Sequence, residues 1–313
     1  MKRNVILMGG KTHIISLPLK WIKKYGVEKG DELEVDEKDN KIIISTNKIP
    51  EKHPIKINLE KANAAVIIRN ITTYYQLGYS GLELVFSKKT INEKTNDRVD
   101  TLNIIQDTCD QLIGFEIIEL NDNYCRIKDV AGNDINEFKN VLRRIFLMLN
   151  SFGNELLENI NNYPELENLH KKHIMIRKYI HYCQRFLNIK GMENKTTQYN
   201  ELVMRLLDVS ITYRFISKNQ CIKKNLYPKE IKEIMKKMVE LQDEFYNLFY
   251  KFSLEQASVL SEKRVNIFRE INDLSEKAKG EDLILLQRVP FVLNTILSLM
   301  NVTVAINFVS HEE

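Results

Sequence analysis

The first 47 residues alternate between apolar and polar positions in the manner of short β-strands. The alternation predicts strands at residues 4–8, 14–17, 32–36 and 41–45. Pro18 opens a short amphipathic helix that runs through Tyr25 and is ended by Gly26. A segment this short cannot bury a sizeable core by itself. We therefore expect it either to dock on the rest of the chain or to pair with a second copy, and we favour a dimer.

A polar linker over residues 48–54 leads to a different pattern. Residues 59–77 have helical spacing, residues 82–86 have the pattern of a strand, and residues 97–113 are again helical up to Gly114. A hairpin follows, with strands at 115–120 and 124–130 around an Asn121-Asp122-Asn123 turn. These elements predict a small α+β module over residues 55–132.

From residue 136 onward the hydrophobic period is helical. Breaks at residues 161–164, 191–195 and 227–228, near 253 and at 279–280 divide this region into six long helices. Six helices of such length suit two successive three-helix bundles. The predicted fold is thus multidomain and mainly α, with a β-rich N-terminal domain (1–48), the α+β module (55–132) and a six-helix domain (136–313).

Residues 289–309 carry no charge and are long enough to span a bilayer. Asn294, Ser298 and Asn301 recur within this stretch at helical spacing, which indicates a buried bundle helix with one polar seam rather than membrane insertion. The four cysteines form no Cys-x-x-Cys pair and no signal-peptide pattern precedes them. We therefore expect a cytoplasmic protein.

Positive charge is concentrated at the start of the chain. The whole chain has 46 basic and 42 acidic residues, a balance too even to indicate a nucleic-acid partner. Residues 1–25, however, contain no Asp or Glu and six cations, namely Lys2, Arg3, Lys11, Lys20, Lys23 and Lys24. The three helix lysines have i, i+3, i+4 spacing and share one face, while Leu19 and Ile22 are expected to pack inward. The lysine face is suited to DNA phosphates; an ordinary solvated face is the alternative.

No motif of a catalytic site is present: the sequence has no Gly-x-x-x-x-Gly-Lys-Ser/Thr loop, no Gly-x-Ser-x-Gly elbow and no His-Glu-x-x-His. We therefore expect no enzyme activity and no cofactor. His170, His173, His181 and Cys183 are residue types that bind zinc. The last two lie two turns or more beyond the first two on the same predicted helix, so one ion cannot collect all four, and no metal is predicted.

The segment from Lys11 to Val35 resembles the AbrB/SpoVT (MazE-like) swapped-hairpin DNA-binding domain. Its Leu17-Pro18 before the helix and its Gly30-Asp31-Glu32-Leu33 ahead of the next strand carry the resemblance, which covers nearly all of the first 47 residues. The resemblance implies an interleaved homodimer that binds double-stranded DNA. It gives the DNA-binding role to the basic residues near the first hairpin and the helix: Arg3, Lys11, Lys20, Lys23 and Lys24.

The helical half resembles the PhoU family, in the archaeal arrangement in which a PhoU-like domain follows an AbrB-type domain. The six-helix layout, Arg143-Arg144-Ile145-Phe146 and the segment from Leu202 to Asp208 carry this resemblance. PhoU-like proteins typically bind metal clusters through pairs of acidic residues on facing helices. Here His173 and Arg177 stand at those positions in the second helix, which again predicts no metal.

Together these features predict a DNA-binding transcriptional regulator. The PhoU resemblance implies a link to phosphate homeostasis and a regulatory protein partner on the helical domain. The alternative is a PhoU-like adaptor that regulates phosphate uptake without sequence-specific DNA binding. An antitoxin-like binding module is less favoured, because such proteins usually follow the small domain with a short, disordered tail that wraps a toxin.

Overall fold

The computed structural model describes residues 2–38, 40–46, 53–130 and 135–307. The chain forms two compact units, residues 1–53 and residues 54–313. Apart from His53 and Pro54, the linker predicted over residues 48–54 lies outside the described residues. The same holds for the predicted module end at residues 131–132.

The N-terminal unit consists of two antiparallel hairpins with a short helix between them. Its elements are β1 (Ile6–Met8), β2 (Thr12–Ile14), α1 (Leu19–Tyr25), β3 (Glu34–Lys38) and β4 (Lys41–Ser45). Gly9 and Gly10, between β1 and β2, have φ angles of 61° and 78°, which a side chain would disfavour. β2 ends at Ile14 instead of residue 17, because β1, its partner among the described residues, starts opposite Ile14.

The second unit starts with an α/β layer built around a four-stranded sheet of order β5-β6-β10-β9. Its strands are β5 (Ile55–Asn58), β6 (Gly81–Val85), β9 (Phe115–Asn121) and β10 (Tyr124–Asp129), and α2 (Ala64–Gln76) connects the parallel pair β5 and β6. A small hairpin, β7 (Lys89–Ile91) and β8 (Arg98–Asp100), precedes α3 (Thr101–Cys109). Both helices start later than predicted because Asn63 and Asp100 cap them through their side chains.

The described residues from 135 to 307 are mainly helical. They are α4 (Ile135–Glu158), α5 (Tyr163–Asn168), α6 (His170–Ile189), α7 (Thr196–Lys223), α8 (Lys229–Tyr250), α9 (Leu254–Ser275) and α10 (Glu281–Asn307). The six long helices follow the predicted breaks, with the one-turn helix α5 added before α6. Their buried side chains form one continuous core from Phe138 to Ile306, so the structure does not separate the two bundle cores that the sequence predicted.

α10 is long and apolar enough to cross a membrane by length and composition. Half of its most apolar window is nevertheless buried inside the unit, where Leu286, Val289 and Leu293 are fully enclosed. A core helix of a soluble protein has the same properties, which fits the buried bundle helix expected from the polar seam.

The α/β layer is joined to the helices through Arg185 of α6, which is almost completely buried. Its guanidinium donates to the backbone oxygens of Tyr75 at 2.5 Å and Tyr79 at 2.9 Å. It also forms an ion pair with Asp129 and lies over the Tyr75 ring, 4.9 Å from the ring centroid. One side chain thus satisfies polar groups from α2, the loop after it and β10.

Candidate nucleic-acid interface

The first hairpin has an uncovered apolar face. Ile6 lies opposite Ile14 and Met8 lies opposite Thr12, so these four side chains point to the same side of the β1–β2 pair. Ile6 is 59% exposed and Met8 is 63% exposed. Within the described residues both side chains are mostly accessible to water, although burial of such side chains is what drives folding.

The second hairpin repeats this arrangement. Val35 lies opposite Ile44 and Glu37 lies opposite Ile42, which places three apolar side chains on one face of the β3–β4 pair. Val35 is 63% exposed and Ile42 is 71% exposed. Between residues 2 and 46, no residue whose side chain is described is buried. The described part of the N-terminal unit therefore has no buried core in the single chain.

α1 packs less tightly than its amphipathic pattern predicts. The expectation that Leu19 packs inward is wrong for the single chain, since Leu19 is 64% exposed. Trp21, Ile22 and Tyr25 are half-buried, and the Trp21 and Tyr25 ring centroids lie 5.2 Å apart. Among the described residues, the inward face of the helix is therefore only partly covered.

The cations of α1 are exposed. Lys20, Lys23 and Lys24 all lie within the helix and all face water. Lys23 and Lys24 occupy its last turn, where positive charge complements the partial negative charge of the helix C-terminus. The Lys24 ammonium also lies 5.1 Å from the centroid of the Tyr25 ring. These lysines form a positive surface that phosphate groups can approach.

The two remaining predicted DNA-binding residues lie at opposite ends of the first hairpin. Lys11 is exposed beside Gly10 at the turn between the strands. Arg3 precedes β1 at the other end and donates to the Ser16 hydroxyl at 3.3 Å. Sequence reasoning did not foresee Ser16 as a partner, because no motif links these positions. A single chain therefore does not bring Arg3 and Lys11 into one patch.

The histidines considered for a zinc site lie in different surroundings. His173 Nδ1 is 3.0 Å from the Ser210 hydroxyl, and His181 Nδ1 is 2.8 Å from the Gln76 amide nitrogen. Burial is the main cause that lowers the pKa of each imidazole to about 4. Cys183 is fully buried and burial raises its thiol pKa. Within the described residues, no three His, Cys, Asp or Glu side chains are grouped so that they could hold a metal ion.

Residues 6–56 match the family model described as antidote-toxin recognition MazE, a bacterial antitoxin. The N-terminal unit is similar to the MazE antitoxin domain. This match covers the two hairpins and α1 and supports a swapped-hairpin domain at this end of the chain. It extends over less than a fifth of the 313 residues. No curated protein and no solved structure matches the chain. The N-terminal similarity points to a DNA-binding or antitoxin-like regulatory role.

Proposed function

We propose that this protein is a DNA-binding regulator that acts as a homodimer through its N-terminal unit. The observation that carries the proposal is the joint exposure of apolar hairpin faces and of cations in the same 46 residues. The apolar faces require a cover, and a second copy of the unit supplies an identical apolar surface. The similarity to the MazE model supports this, because domains of this type typically dimerise and bind DNA.

Dimerisation also changes the electrostatics of the unit. Residues 1–25 carry six cations and no carboxylate, so a dimer brings twelve of them into one assembly. Each protomer then contributes the positive charges of Lys20, Lys23 and Lys24 from its α1. It also contributes those of Arg3 and Lys11 from the ends of its first hairpin. Such a surface binds the phosphates of the DNA backbone, and its affinity for DNA falls as the salt concentration rises.

The test is fluorescence anisotropy of the full-length protein with duplex DNA at several salt concentrations. Changing Lys20, Lys23 and Lys24 together to Ala removes six cations per dimer and should reduce the salt slope by up to about 5. The control changes three exposed lysines of the helical region, Lys229, Lys251 and Lys277, to Ala, and has the same net charge. Equal DNA affinity of the two variants would remove the α1 lysines from the interface.

An antitoxin-like protein-binding role is the second candidate, favoured by the similarity of residues 6–56 to a bacterial antitoxin family. Residues 54–313 form a folded unit with two apolar cores, so a toxin would have to dock on a folded surface here, not be wrapped by a tail. The absence of salt-dependent DNA binding, with the dimer intact, would favour this role or the adaptor role. The PhoU likeness and the link to phosphate homeostasis stay predictions that no comparison supports.

A further inference from the structure

A cleft between α7 and the segment formed by α5 and the start of α6 is lined by charged, hydrogen-bonding and apolar side chains. It has a volume of about 460 Å³, and its wall includes His170 from α6 and Arg214, Ser217 and Lys218 from α7. The spacing Arg214-x-x-x-Lys218 places both cations on one helix face. A cleft of this size accommodates a small molecule.

Two more basic side chains adjoin the cleft without lining it. His173 and Arg177 follow His170 on the same face of α6 at i+3 and i+7. The His170 and His173 rings are nearly parallel, with centroids 6.4 Å apart. Arg177 is half-buried, donates to the Gln111 side chain, and has its Nε buried without a hydrogen-bond partner. Positive charge is therefore gathered where two helices meet.

Carboxylates do not balance these cations. Arg177, Arg214 and Lys218 form no ion pair within 4.0 Å among the described residues. Two partly buried lysines of the helical region are paired by contrast, Lys172 with Glu155 at 2.5 Å and Lys237 with Glu270 at 2.6 Å. The Glu167 carboxylate lines the same cleft, but it is not among the partners of the three cations.

Repulsion between the positive charges of the group lowers the pKa of two of its members. After burial, the main cause that lowers the pKa of His170 is the charge of Arg214, followed by those of Lys218 and Arg177. Arg214 also lowers the pKa of Arg177, after burial. Like charges that lie close together without an ion pair repel one another, and a bound anion relieves this repulsion.

The hydrogen-bonding geometry indicates what kind of anion fits. Arg214 Nε donates to His170 Nδ1 at 3.2 Å, so a neutral His170 carries its proton on Nε2 and presents it as a donor. Guanidinium and ammonium groups have only donors. A cleft that offers donors and positive charge matches an oxyanion with several acceptor oxygens. We propose that it binds a phosphate group, free or esterified to a small molecule, through His170, Arg214 and Lys218.

The experiment is isothermal titration calorimetry of the full-length protein with inorganic phosphate at constant ionic strength. The cleft variant combines Arg214→Gln and Lys218→Gln, and the control combines Lys251→Gln and Lys277→Gln, which removes the same charge from exposed sites outside the cleft. We expect saturable phosphate binding by the wild type, with a dissociation constant about tenfold or more higher in the cleft variant and unchanged in the control. No saturable binding, or an equal loss in both variants, would overturn the proposal.

Three further titrations identify the source of the anion. Glycerol 3-phosphate that binds more tightly than inorganic phosphate assigns the site to a phosphate ester, and the reverse order assigns it to free phosphate. Tighter binding of citrate than of either would overturn the phosphate assignment. The proposal would also be overturned if the wild type did not bind phosphate and the cleft variant bound DNA more weakly than the wild type. The cleft would then be a nucleic-acid contact. The α1 lysines do not line the cleft. The phosphate titrations therefore test the cleft even if the protein does not bind DNA.

Discussion

The substitution Ile42→Lys tests whether the apolar hairpin faces hold a dimer together. Ile42 shares its face with Val35 and Ile44 and is 71% exposed in the single chain. Full burial of such a side chain stabilises by about 1.5–3 kcal/mol. Since roughly 70% of Ile42 remains to be covered, its burial is worth about 1–2 kcal/mol per protomer, or about 2–4 kcal/mol in a symmetric dimer. The dissociation constant of the dimer should then rise about 30-fold to 10³-fold.

Sedimentation equilibrium over a range of concentrations measures this constant directly. Trp21 is the only tryptophan of the chain, so its fluorescence reports on the N-terminal unit alone. The control is Leu254→Lys, because Leu254 is 74% exposed and lies in the helical region. The reasoning is refuted if the wild type is monomeric at every concentration, or if Ile42→Lys dimerises as tightly as Leu254→Lys.

Two stability predictions concern the second unit. Arg185→Ala leaves the Asp129 carboxylate in a buried site without this cation and should lower the free energy of unfolding by about 3–5 kcal/mol. Arg126→Ala removes only an exposed ion pair and should cost less than about 1 kcal/mol, so equal shifts of the two urea midpoints would contradict the buried-pair argument. His173 is buried with its pKa lowered from 6.5 to about 4, so the folded state binds fewer protons than the unfolded state in that interval. Its contribution to stability is present above pH 6.5 and lost as the pH falls towards 4, on the order of 3 kcal/mol. His173→Gln should therefore flatten the stability profile between pH 7 and pH 4, measured by urea unfolding; an unchanged profile would refute this.

The sequence pattern predicted well those elements in which the hydrophobic period repeats over many residues. The six helices after residue 135 each repeat the helical period over several turns, so their breaks could be placed from Pro, Gly and polar clusters. The short strands β5, β7 and β8 were missed because three or four residues give almost no period. The late starts of α2 and α3 depend on the side-chain caps of Asn63 and Asp100, which a periodicity argument does not weigh.

The candidate sites differ in how far the sequence could predict them. The cations of α1 are neighbours along the chain, so their common face follows from helical spacing alone. The cleft joins His170 to Arg214, which are 44 positions apart, and no local pattern brings them together. The sequence does contain one signal for it, the helical spacing of His170, His173 and Arg177. Only the packing of α6 on α7 shows that the second helix adds further cations and no balancing carboxylate.

The net charge of the whole chain does not reveal the local positive charge on which the proposed DNA binding depends. With 46 basic and 42 acidic residues, the net charge is too small to drive association with DNA. The six cations of residues 1–25 act locally, because screening limits their reach to about 10 Å at moderate salt. A monomer offers DNA few contacts, and Arg3 and Lys11 lie at opposite ends of its hairpin. A dimer held by the apolar faces doubles every cation and fixes their relative positions. In the proposed dimer the uncovered hydrophobic surface and the positive charge are therefore two parts of the same requirement, since the first would form the assembly in which the second is effective.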